Sequence, residues 1–211
     1  MWIDKVNQKK ISKPYLLPNM PMQAWNDEAT LNSLGIFTAS VTPPTADRRY
    51  YDIEEVVDYT TATVRYTETP KAVGDVQARM LRDLSTVFAA KKSERPVVDT
   101  GLGFSVDGGR EDIDNMEIGQ KHGLPQVRGA DDLWYAVSTA DYDTIISAIE
   151  LNGIKLFQTK WSKEATVSAF TTLDECIAYE NQVRLVDVVN PDDPATTITI
   201  EEVYSLIDEG W

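Results

Sequence analysis

Cysteine, histidine and long apolar runs are what this 211-residue chain has least of. With Cys176 as the only cysteine, no intrachain disulfide can form, which fits a protein made and kept in a reducing cytoplasm. One histidine and one cysteine fall short of the usual zinc sites, which gather several such ligands. A Ser-His-Asp triad would have to use His122, and no Gly-x-Ser-x-Gly elbow accompanies it. No apolar run approaches the ~20 residues of a membrane-spanning helix. The segment Met1 to Asn7 lacks the apolar stretch of a secretory signal. Cations are scarce as well: 20 Lys and Arg stand against 34 Asp and Glu, a net charge of −14. That surface repels phosphate and anionic lipid headgroups, so neither nucleic acid nor a membrane is expected as a partner. Its plain reading is solubility.

Other constellations that could carry chemistry are also weak. Gly101-Leu102-Gly103 and Gly108-Gly109 do not make Gly-x-Gly-x-x-Gly, and no Gly-Lys-Ser/Thr follows, so they read as turns rather than a phosphate cradle. Asp107, Glu111, Asp112 and Asp114 lack the spacing of a calcium loop; acids at a helix start favour the macrodipole instead. His122 sits at a helix end, where it caps carbonyls or is solvated. Cys176 lies in a helical pattern and reads as a buried thiol, not a nucleophile. No cofactor, metal or catalytic residue is expected, and the chain reads as a non-enzyme.

What is present is enough apolar residue, 42%, for one good core or two small ones. The pattern predicts an α+β protein in four parts. Residues 1–72 form a small, irregular antiparallel β region. Residues 73–94 form a connector helix, 95–181 a mainly helical domain with short β-hairpins, and 182–211 a C-terminal arm. In the first part Pro14, Pro18, Pro21, Pro43, Pro44 and Pro70 break long helices. Asn26 is expected to cap a short helix over 27–34, ended by Gly35. Ile36 to Val41, Tyr50 to Ile53 and Tyr59 to Thr67 suit three strands. Thr69 and Pro70 are expected to open the connector helix, whose stripe Val73, Val76, Met80, Leu84, Val87 and Phe88 recurs at helical spacing.

Hairpins are expected over 97–106 and 127–137, with a helix from Arg110 to Lys121 between them. Ser138 and Asp141 then make a capping box. The long helix behind it runs to about Phe170, with Ile145, Ile149, Leu156, Trp161 and Phe170 on its apolar side and a kink expected at Asn152-Gly153. Thr171 to Asp174 is a break and recap. Val183 to Val189 fits helix or strand equally. Asn190 to Pro194 is a loop, and Thr199 is expected to cap a last helix over 200–209. The stripe of the connector helix either packs internally or meets a partner. So do Trp2 and Trp211, which lie near the ends of the sequence. With Trp25, these make Trp2, Trp25, Leu84, Phe88 and Trp211 the candidate partner contacts.

The stretch from Val97 to about Glu180 resembles an uncharacterised domain of bacteriophage and prophage tail-fibre and tail-associated proteins. The likeness rests on the turn Phe104-Ser105-Val106-Asp107 leading into a polar helix through Met116, and on a Trp-bearing strand before Val137-Ser138-Thr139-Ala140-Asp141. A long helix with Lys160-Trp161 and the break Thr171-Thr172-Leu173-Asp174-Glu175 complete it. Residues 29–90 resemble the same tail proteins in the order of their elements. The resemblance implies a structural tail or baseplate protein in the virion, linking a fibre or peripheral part to the tail. Its expected partners are other tail, baseplate or tail-fibre proteins, in a homo-oligomer or symmetric assembly. A tail-fibre assembly chaperone is the alternative within that setting, and an envelope-polysaccharide hydrolase the alternative of another class.

Overall fold

The computed structural model describes residues 1–12, 27–190 and 193–211. Trp25, Asn26, Pro14, Pro18 and Pro21 lie outside the described residues, as do Pro191 and Asp192 of the expected loop. The chain is an α+β protein of two compact units, Met1–Ala72 and Val73–Trp211.

In the first unit, strands β1 (Trp2–Asp4), β2 (Lys9–Ile11) and β3 (Ile36–Thr38) form an antiparallel sheet in the order β2-β1-β3. Helix α1 (Glu28–Ser33) precedes β3, and Asp27 caps it by accepting from the Ala29 amide. Gly35 follows at φ +78°, a left-handed conformation that glycine adopts without penalty. The strand expected over 36–41 is split. At Ala39 the amide donates to the Met1 carbonyl, whereas the next amide, of Ser40, donates to Ala62. The chain therefore leaves one sheet for another, and β4 (Ser40–Val41) pairs parallel with β6 (Thr63–Pro70). β5 (Tyr51–Asp58) pairs antiparallel with β6; β5 extends past the segment expected at 50–53, and β6 begins and ends later than that expected at 59–67. Asp58 sets the turn by accepting from the Thr60 and Thr61 amides. Among the described residues of this unit two small clusters form: Ile3, Ala62 and Val64 with Phe37 and Tyr66, and Ile11, Leu31 and Ile36 with Trp2.

Thr69 and Pro70 do not open the next helix. Pro70 closes β6 opposite Tyr51, beyond the reach of β4, so its missing amide leaves no ladder bond unmade. The helix α2 (Val73–Ser93) begins three residues later and belongs to the second unit, where it packs on α4 (Thr139–Ser168) and α5 (Leu173–Glu180). Its buried stripe is Val76, Met80 and Leu84.

Hairpins β7 (Val97–Asp99)–β8 (Ser105–Asp107) and β9 (Gln126–Arg128)–β10 (Trp134–Ala136) flank α3 (Arg110–Lys121). Val98, Val106 and Val127 join Tyr142, Ile145 and Ile149 of α4 in one core, to which Ile113 and Met116 of α3 add. Ile118 points outward, 55% exposed. Ser138 caps α4 and Thr172 caps α5, each with a complete capping box. Gly153 does not interrupt α4, which runs unbroken for 30 residues and ends at Ser168.

The helix expected over 200–209 is not formed. Thr196 to Ile200 is a β-branched run with strand periodicity. It lies within β12 (Asp193–Tyr204), paired antiparallel with β11 (Gln182–Asn190). A turn at 205–209 follows, with Ser205 accepting from the Asp208 and Glu209 amides.

Candidate functional site: an aromatic face on the second unit

α2 and α4 place three aromatic rings in a row, and Trp211 after the final turn adds a fourth. Phe88 on α2 lies 5.0 Å from Phe157 on α4, edge to face at 62°. Phe157 lies 6.0 Å from Trp161, one helical turn further along α4. Phe88 also faces Trp211 at 6.2 Å. Edge and tilted contacts of this kind are favoured by the ring quadrupoles. Lysines lie over the rings: Lys160 Nζ is 5.3 Å from the Phe88 centroid and Lys163 Nζ 5.4 Å from that of Trp211.

The outer part of this cluster is open to solvent. On α4, Leu151, Ile154, Phe157 and Trp161 follow one another at steps of three, three and four, so they share one helical face. They are 53%, 52%, 40% and 61% exposed. Beside them a cleft of about 500 Å³ has Ile113, Ile149, Leu156 and Phe157 in its walls and Lys92 and Arg110 among its charged lining.

The sequence candidates divide sharply. Leu84 is fully buried and helps fix α2, so its side chain offers no surface. Phe88 is half-buried at the root of the aromatic face. Trp211 docks on its own unit: its indole N–H donates to the Ile207 carbonyl at 2.7 Å, and its ring meets Phe88. Lys163 holds this turn against α4 by donating to the Glu209 carbonyl at 2.6 Å and to that of Leu206. Burial lowers the Lys163 ammonium pKa from its ordinary value, opposed by Asp208 and Glu209. Trp2 lies in the first unit, packed against Ile11, Leu31 and Ile36. Trp25 falls outside the described residues.

Trp161 is a correction. It was expected on the buried side of its helix with Ile145 and Ile149, yet those two are 0% and 2% exposed whereas Trp161 is 61% exposed. The 151/154/157/161 spacing was the signal for this second apolar face, and the heavier inner stripe hides it.

The remaining candidates occupy structural positions. Cys176 is wholly buried, and burial pushes its thiol up, away from the thiolate. His122 is the C-cap residue of α3. Asp112 accepts from the Gly109 amide and pairs with Arg95, a capping role. Among the described residues no group of three metal-ligating side chains converges, and no helix is long and apolar enough to cross a membrane. No family model, curated protein or solved structure matches the chain.

Proposed function

We propose that the chain is a structural component of a bacteriophage tail or baseplate, linking a fibre or peripheral part to the tail body by protein–protein binding. The tail setting rests on the resemblance carried by residues 97–180. The binding role rests on the exposed face Leu151, Ile154, Phe157 and Trp161. Aromatic residues left open beside apolar neighbours are typical anchors of protein interfaces, where burial supplies most of the affinity. The partner is a tail or fibre chain presenting an apolar patch with an acidic border, because Lys92 and Lys155 lie among or beside these residues.

Quantitative mass spectrometry of purified particles tests this, on wild type and on the Trp161→Ser variant. A copy number that is a multiple of three or six relative to a known tail protein, and that falls in the variant, is the expected result. Absence from particles with abundance in the infected-cell lysate would replace it with the assembly-chaperone reading. Absence from both would remove the tail setting.

A further inference from the structure

A second cleft, of about 370 Å³, is formed by residues of α3 and the β9–β10 hairpin. Sites for small molecules commonly span roughly 300–1,000 Å³ and combine an apolar wall with a few convergent polar groups. Met116 and Val127 supply apolar lining. Tyr142 adds to it, held in place by donating its hydroxyl to the Leu124 carbonyl at 3.3 Å.

The charges in this cleft are already matched. Arg95 pairs with Asp112 and lies 3.8 Å from Asp107; Arg128 lies 2.9 Å from Asp132. Two guanidinium groups against three carboxylates leave no surplus for an anionic ligand. Any cation would compete with arginines for those carboxylates. The unspent recognition capacity is neutral. The side-chain amides of Asn115 and Gln126 and the indole N–H of Trp134 have no hydrogen-bond partner among the described residues, and all three line the cleft. Each amide carries two donors and an acceptor on one rigid plane. Trp134 leaves its ring 65% exposed on the three-residue strand β10.

A flat, electron-rich ring beside planar amides suits a molecule with one C–H face and a rim of hydroxyls. The ring takes the weakly polarised C–H groups, and the amides and indole N–H take the hydroxyls. We propose that this cleft binds an uncharged saccharide through one hexopyranose unit. Trp134 is its platform, and Asn115 and Gln126 select the hydroxyl pattern. This site is separate from the aromatic face on α4 and does not depend on the tail reading.

The test is a titration of the ¹⁵N-labelled full chain, followed by NMR, with glucose, galactose and N-acetylglucosamine in separate experiments. The Trp134 indole signal is assigned by its loss in Trp134→Phe. The expected result is a saturable shift of that signal with at least one sugar, at a Kd of order millimolar. Followed at the backbone amides of Val127 and Gly129, which line the same cleft, Trp134→Ala should weaken binding about tenfold or more, and Asn115→Ala about fivefold, since each removes direct contacts. Both positions are exposed, and retained signal dispersion checks that each variant is folded. Absence of any shift at the Trp134 indole would overturn the proposal. So would equal binding by both variants, or a response to inorganic phosphate that the neutral sugars do not share.

Discussion

Gly119 has a neighbour that no other residue would tolerate. A Cβ there would lie 2.8 Å from the Tyr142 hydroxyl oxygen and 2.9 Å from Cε1, closer than real Cβ contacts come. Tyr142 is 1% exposed and hydrogen-bonded, so it has no room to withdraw. Titratable side chains act as locally. Hydrogen bonds from the Ser138 amide and hydroxyl hold the Asp141 carboxyl below its ordinary 3.8, and the Thr171 and Thr172 amides hold Glu175 below 4.5. A carboxyl depressed in the folded state contributes its stability in full above its unfolded pKa. That contribution is lost as pH falls through the folded value. The Asp141→Asn/Glu175→Gln variant should therefore melt below wild type at neutral pH and lose less on acidification. Melting curves from neutral to about pH 3 check this, and the two profiles should converge towards the acid end. A constant gap would show that neither cap titrates with folding.

At the scale of elements, local chemistry proved legible and partner choice did not. The Ser138/Asp141 capping box, the break ahead of α5, the bounds of α3 and the two hairpins around it follow from short-range signals. The sheet switch at Ala39 depends on amides meeting Met1 and Ala62, far away in sequence, and periodicity carries no trace of such pairing. The end of β12, from Ile200 to Tyr204, reads as a helix start because Thr199 and the acids behind it mimic a cap; its pairing with β11 decides otherwise. The candidate site divides likewise. Phe88 was readable from its stripe, whereas the outward turn of Trp161 depends on which face of α4 the core claims.

One long-range pair makes a sharp prediction. Arg79 of α2 grips Glu180 of α5 through two bonds, and the Glu180 side chain is only 4% exposed. Arg79→Met leaves that carboxylate without its main countercharge and should cost about 3 kcal/mol or more. Adding Glu180→Met should restore most of the loss, because an apolar pair of similar size needs no countercharge. Chemical denaturation of the four species measures it; additive losses would mean that the two residues are energetically independent.

The whole molecule divides into two compact units, Met1–Ala72 and Val73–Trp211. The first has two small clusters among its described residues, and a unit of that size buries less of its surface than a larger one does. Scanning calorimetry of the intact chain should therefore show more than one transition, with a calorimetric enthalpy above the van't Hoff value. A single transition with equal enthalpies would make the two units one cooperative body. The pairing of β1 with β3 also sets a timetable. Residues 2–4 pair early with the nearby residues 9–11, but their second edge must wait for residues 36–38, and β4 must wait for Thr63 and Val64. Closing such loops before contacts repay them slows folding. The α4 and α5 capping boxes join residues three apart and need no such wait. The first unit, made before the second, thus has the longer assembly to complete, and the edge of β1 that awaits β3 is the surface most open to capture by another chain during synthesis.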